Sequence, residues 1–175
     1  MIFVFFAADP KTMLGKALVL TISDTASAGK REDLSGPEAG RILTEAGFEV
    51  AAIEILPDER TKIESRLRKA SEEGFRVVVT SGGTGLSPRD VTPEATLAVI
   101  DRNVPGIAEM MRLESLKATP RAALSRAVSG ICRDTLIINL PGSVKGVREC
   151  LTAVRPILSH AVDVLSHGSV NCGET

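Results

Sequence analysis

Three stretches of this chain collect glycines, hydroxyls and carboxylates in patterns suited to phosphate chemistry. The densest is Thr80-Ser81-Gly82-Gly83-Thr84-Gly85, which continues to Pro88-Arg89-Asp90-Val91-Thr92-Pro93-Glu94. Glycines so closely spaced let successive backbone N–H groups turn to one side, with no side chain to block an anion. It is not a Walker loop, because no Gly-Lys-Ser/Thr follows, and it lacks the dinucleotide GxGxxG spacing. From spacing alone, a tight turn needing positive φ is an equally good reading. The second stretch is Ser23-Asp24 and the polar residues up to Asp33-Leu34-Ser35-Gly36-Pro37. The third is Asn139-Leu140-Pro141-Gly142-Ser143.

Asp33 and Asp90 each lie in a loop after a strand-like run. A carboxylate beside a phosphate-cradling turn suits Mg²⁺, which takes one or two carboxylates and fills its shell with phosphate oxygens and water. Asp33 also reads as a polar residue that solvates its loop, and Asp90 as part of a helix entry. Ser115, Lys117, Ser125 and Arg126 put hydroxyls and cations at helix ends, where they could grip a phosphate or neutralise a helix dipole. His160 and His167 have no carboxylate pattern around them and read as surface or packing residues. Cys132, Cys150 and Cys172 are too scattered for a disulfide framework or a zinc site, and free thiols suit a reducing cytoplasm.

These residues need a frame to hold them. Ala17–Ile22, Phe48–Leu56, Val77–Thr80 and Leu136–Leu140 are short apolar runs, each stopped by polar, Pro or Gly residues, and read as buried strands. Helical periodicity fills the intervals: from Ser35 to Gly47, over 59–73, from Thr92, from Pro105, and in a last stripe from Val147 to Leu165. Ser35 and Thr92 look like N-caps, each followed by Pro and an acidic residue. Pro156 predicts a kink in the last helix. Strands alternating with helices predict an α/β fold in three layers, a mostly parallel sheet flanked by helices.

The 175 residues suit one domain, expected over 16–166, with an extension or added strand at 1–15 and a tail at 167–175. Lys+Arg 21 against Asp+Glu 22 gives a formal charge of -1, so the chain lacks the field that draws nucleic acid or anionic membrane. The apolar start Met1–Phe6 is too short to span a bilayer. The chain has no Trp, no Tyr and five Phe, of which only Phe48 and Phe75 lie beyond residue 6. Neither falls in the three stretches, so a flat ligand there is expected to meet aliphatic side chains or glycine backbone.

In order along the chain, these stretches together with Glu114-Ser115-Leu116-Lys117 and Leu124-Ser125-Arg126 resemble the molybdopterin-binding family of molybdenum cofactor biosynthesis. The resemblance implies a molybdopterin-binding fold, usually a homotrimer. It also implies adenylyl transfer from Mg²⁺-ATP to molybdopterin, giving adenylyl-molybdopterin and pyrophosphate. By that likeness Asp33 and Asp90 are the catalytic, metal-holding acids. Ser23, Asp24, Ser81, Gly82, Gly83, Thr84 and Gly85 contact substrate or nucleotide. Ser115, Lys117 and Ser125 hold the pterin's phosphate, while Asn139, Pro141 and Gly142 form the last wall. A downstream molybdenum insertion protein is an implied partner. A homologue that only stores the pterin would need neither aspartate.

Overall fold

The computed structural model describes residues 13–167 of the chain, so residues 1–12 and 168–175, with most of the expected extension and tail, lie outside the described residues. Six strands form one mixed sheet in the order β2-β1-β3-β6-β5-β4. They are β1 (Lys16–Ile22), β2 (Glu49–Leu56), β3 (Val77–Ser81), β4 (Arg102–Asn103), β5 (Ser129–Cys132) and β6 (Thr135–Leu140). The pairs β1/β2, β1/β3 and β3/β6 are parallel, as the alternating pattern predicts. The β4/β5 and β5/β6 pairs are antiparallel, which the pattern does not predict. Arg102–Asn103 is too short to register as a strand. Ser129–Cys132 carries Gly130, where an added Cβ would crowd Ile100 and the Arg102 carbonyl.

The helices are α1 (Asp24–Ser27), α2 (Ser35–Glu45), α3 (Arg60–Glu72), α4 (Thr92–Leu97), α5 (Pro105–Leu116) and α6 (Val144–His167). A 3-10 turn covers Pro120–Leu124. The central strands read as unbroken apolar runs because both faces are covered. On one face Val19, Val79 and Ile138 pack against Leu43 of α2, Met111 of α5, and Val147, Leu151 and Val154 of α6. On the other, Leu18, Val78 and Ile137 meet Ile63 and Leu67 of α3 and Ala95 of α4. Phe48 belongs to the first core and Phe75 to the second. Helix α6 continues as one element across Pro156.

Two expected caps differ from the sequence reading. Ser35 is the first residue of α2, and the oxygen that accepts the helix's first two N–H groups is Asp33 Oδ1. Thr92 caps nothing: its hydroxyl donates to the Gly82 carbonyl at 2.9 Å and its N–H to the Gly83 carbonyl at 3.1 Å. In both places a loop needed the side chain more than the helix did.

Candidate functional site

Strand β1 lies between β2 and β3, whose crossovers leave in opposite directions, so a crevice opens beyond the carboxyl ends of these strands. Its floor is backbone. Gly82 has φ 106° and Gly83 φ 63°, a left-handed path that side chains resist. A Cβ on Gly82 would overlap the Ile22 carbonyl, and one on Gly142 would stand 3.2 Å from the Gly82 Cα. The ends of β1, β3 and β6 therefore meet without intervening side chains. Ser81 ties two of them together by donating its hydroxyl to the Pro141 carbonyl at 3.0 Å.

Two cavities flank this floor. The first, about 270 Å³, is lined by Ser23, Asp33, Asp58, Gly82, Gly83 and Asp90, with Ser81 and Gly142 at its base. The second, about 320 Å³, lies between α5, α6 and the 3-10 turn. Ser115, Ser125, Arg112, Arg121 and Lys145 face it over an apolar bed that includes Ala108 and Met111. Thr84, Gly85 and Pro141 line the second cavity while their neighbours line the first, so the glycine turn is the wall between the two.

The first cavity is crowded with carboxylates. Asp58, just past β2, reads in the sequence only as the residue that stops a strand, yet it lines this cavity. Its N–H donates to Asp24 Oδ1 at 3.0 Å, and the Asp24 N–H donates back to Asp58 Oδ2 at 2.8 Å. Burial pushes the Asp58 carboxyl up, and the charges of Asp24 and Asp90 add to this, outweighing the Asp24 amide. Arg89 bonds the outer oxygen of Asp24 at 2.7 Å; that contact, then the Asp58 amide, holds Asp24 below the usual carboxylate range. Asp90 accepts the Ser87 N–H at 2.9 Å.

Asp33 is engaged differently. Its Oδ1 accepts the N–H groups of Ser35 and Gly36 and the Ser35 hydroxyl, each at 3.0 Å. Oδ2 accepts the Thr21 hydroxyl at 2.7 Å. Burial raises its pKa, but these donors together prevail and keep the carboxyl below its ordinary value. Asp33 thus faces the cavity as an anion already committed to protein donors.

Other expected site residues divide sharply. Ser115 is buried with its hydroxyl 3.4 Å from the Cys150 sulfur, and Ser125 accepts the Ala127 N–H at 3.3 Å; both line the second cavity. Lys117 lines neither cavity: it is exposed and paired with Glu114 at 2.6 Å. Asn139 is also no cavity wall. It is fully buried, donating to the hydroxyls of Thr80 at 3.0 Å and Thr96 at 2.9 Å while accepting the Val128 N–H at 3.3 Å. Phe48 and Phe75 line neither cavity. The cations that do face the second cavity, Arg112, Arg121 and Lys145, had no motif to mark them.

Among the described residues no set of three metal-ligating side chains stands ready-made. Mg²⁺ needs fewer, since one or two carboxylates suffice when phosphate oxygens supply the rest. Asp58 and Asp90 fit that demand, because a cation held by them would offset the burial that chiefly raises Asp58 and the carboxylate repulsion that adds to it.

A mixed α/β sheet with a glycine-floored crevice at its strand ends defines the class, an α/β ligand-binding domain. Residues 18–160 match the family described as "Probable molybdopterin binding domain", and the chain belongs to that family. It is 47% identical over 150 residues to the molybdopterin adenylyltransferase of Helicobacter pylori (strain J99), covering 84% of this chain and 85% of that protein. It is 45% identical over 149 residues to the molybdenum cofactor synthesis protein cinnamon of Drosophila melanogaster, covering 84% of this chain but only 25% of the fly protein. The crystal structure of the molybdopterin biosynthesis enzyme MoaB of Thermus thermophilus superimposes with a TM-score of 0.82 at 50% identity, covering 88% of this chain and 97% of that one.

Proposed function

We propose that this protein is a molybdopterin adenylyltransferase, transferring AMP from ATP to the terminal phosphate of molybdopterin with release of pyrophosphate. The observation that carries the reading is the pair of cavities sharing one glycine wall. One gathers Glu32, Asp33, Asp58 and Asp90 around a single cation, Arg31, and the other gathers Arg112, Arg121 and Lys145 with Ser115 and Ser125 around a single carboxylate, Glu149. The name of the Helicobacter pylori relative agrees with it.

In this reading the carboxylate cavity takes the triphosphate of ATP, with the Ser23 hydroxyl and the Gly83 amide as donors, the Gly82 N–H being held by the Leu140 carbonyl at 3.2 Å. The second cavity takes the pterin phosphate on Ser115 and Ser125, with Arg121 and Lys145 balancing its charge. The pterin-phosphate oxygen attacks the α-phosphorus in line; a P–O bond forms there as the bond to the β-phosphate oxygen breaks, and pyrophosphate leaves. The attacking phosphate is already ionised, so no general base is required, and the chain's task is positioning and charge neutralisation. Asp90 and Asp58 would hold Mg²⁺, with the anion of Asp33 beside them. Bound there, the ion would neutralise charge on the phosphate oxygens. Ring faces would rest on aliphatic side chains and glycine backbone. A homotrimer, a cytoplasmic setting and hand-over to a molybdenum insertion protein complete the proposal.

Incubation with ATP, Mg²⁺ and molybdopterin should yield adenylyl-molybdopterin and pyrophosphate. Asp90→Ala should still bind molybdopterin but release no pyrophosphate. A wild-type protein that binds molybdopterin without turnover would be a storage or presentation protein, and the enzymatic reading would fall.

A further inference from the structure

Arg126 lines neither cavity, yet it holds the segment between them at four points. Its N–H donates to the Thr84 carbonyl at 3.0 Å. Within its guanidinium, Nε donates to the Gly85 carbonyl at 2.7 Å, Nη2 donates to the Asp90 carbonyl at 2.5 Å, and Nη1 pairs with Glu94. Apart from the exposed Arg89–Asp24 pair at 2.7 Å, the loop between these anchors is loosely tied. Leu86 is 64% exposed, Ser87, Pro88 and Arg89 face solvent, and Ser87 and Asp90 bond mainly to each other. Arg126 itself grows from a segment gripped on the far side, where Arg112 donates to the Ala127 carbonyl at 2.9 Å. Arg112 and the adjoining Ser125 both line the second cavity.

We propose that Arg126 is a positioning residue that fixes Asp90 in the carboxylate cavity from the segment lining the other cavity. A planar guanidinium carries five donors in a rigid fork, so one side chain can serve two carbonyls and a carboxylate at once. An ammonium keeps the charge but not the fork. The contact is to the Asp90 backbone, so Arg126 sets where the carboxylate stands without touching its oxygens. This rests on the adenylyl-transfer reading of the two cavities.

The test compares wild type with Arg126→Lys and Arg126→Gln by amide hydrogen exchange and by steady-state kinetics. Protection at 84–92 should fall in both variants, while the core strands 17–22 and 77–80 keep theirs. Misplacing Asp90 should lower kcat roughly 100-fold, with the molybdopterin dissociation constant changed less than about twofold. Unchanged exchange at 84–92, or kcat and pterin affinity falling together with core protection, would overturn the proposal. If wild type makes no adenylylated product, the functional reading fails by itself. The exchange comparison, which needs no turnover, still decides whether Arg126 holds the loop.

Discussion

Replacing Asp33 by alanine separates two roles for one carboxylate, helix cap and metal ligand. In the folded protein it accepts the N–H groups of Ser35 and Gly36 and the hydroxyls of Ser35 and Thr21. Losing the cap on two first-turn amides costs about 1–2 kcal/mol. Thr21 is 4% exposed, and stranding its hydroxyl costs about 1–2 kcal/mol more. The sum is about 2–4 kcal/mol, which for a chain of this size lowers Tm by roughly 6–12 °C. Thermal melts without metal or nucleotide read it directly. Because the folded carboxyl lies below its ordinary 3.8, this stability is present above that value and lost as pH falls through the lowered one. The gap between wild type and Asp33→Ala should therefore hold from pH 5 to 8 and close in strong acid. Asp33→Asn, which keeps one acceptor oxygen, should fall between the two. A melt of Asp33→Ala within about 1 °C of wild type, coupled to loss of activity, would refute the cap assignment and return Asp33 to the metal.

Gly82→Ala should destabilise by about 2 kcal/mol or more, since φ 106° is strained for any side chain and the methyl meets the Ile22 carbonyl; a chemical-denaturation midpoint equal to wild type would contradict that path. Asp58→Asn should raise Tm in metal-free buffer at pH 7.5. Its folded carboxyl is raised, so its ionisation opposes folding; the gain should vanish as pH falls toward the ordinary 3.8, and a lower Tm at neutral pH would count against the like-charge picture.

Much of the frame was legible. Apolar runs marked the four parallel strands: β1, β3 and β6 are buried on both faces and show no alternation, while β2, at the sheet's edge, alternates exposed and half-buried residues. The antiparallel margin was hidden, since β4 has two residues and β5 spends one of its four on glycine. Loop chemistry was legible by type but not by role. Asp33 and Asn139 both stand in the loop motifs, yet Asp33 is engaged as a cap and Asn139 as a core residue. Asp58 went unmarked because a Pro-Asp pair after a strand is an ordinary stop signal. Only the fold brings it between Asp24 and Asp90, which are distant from it along the chain.

Asn139 carries a consequence for how the molecule opens. Its amide joins β6 to Thr80 on β3, to Thr96 on α4 and to the Val128 amide leading into β5. A sheet margin of two short strands would ordinarily fray first, in a local fluctuation that leaves the centre closed. Lifting the margin at Val128 would strand the buried Asn139 side-chain oxygen on the central strand β6, while the bonds to Thr80 and Thr96 stay made. Opening at this edge therefore costs one buried, unpaired polar group, about 1–3 kcal/mol, beyond the strand's own backbone pairs.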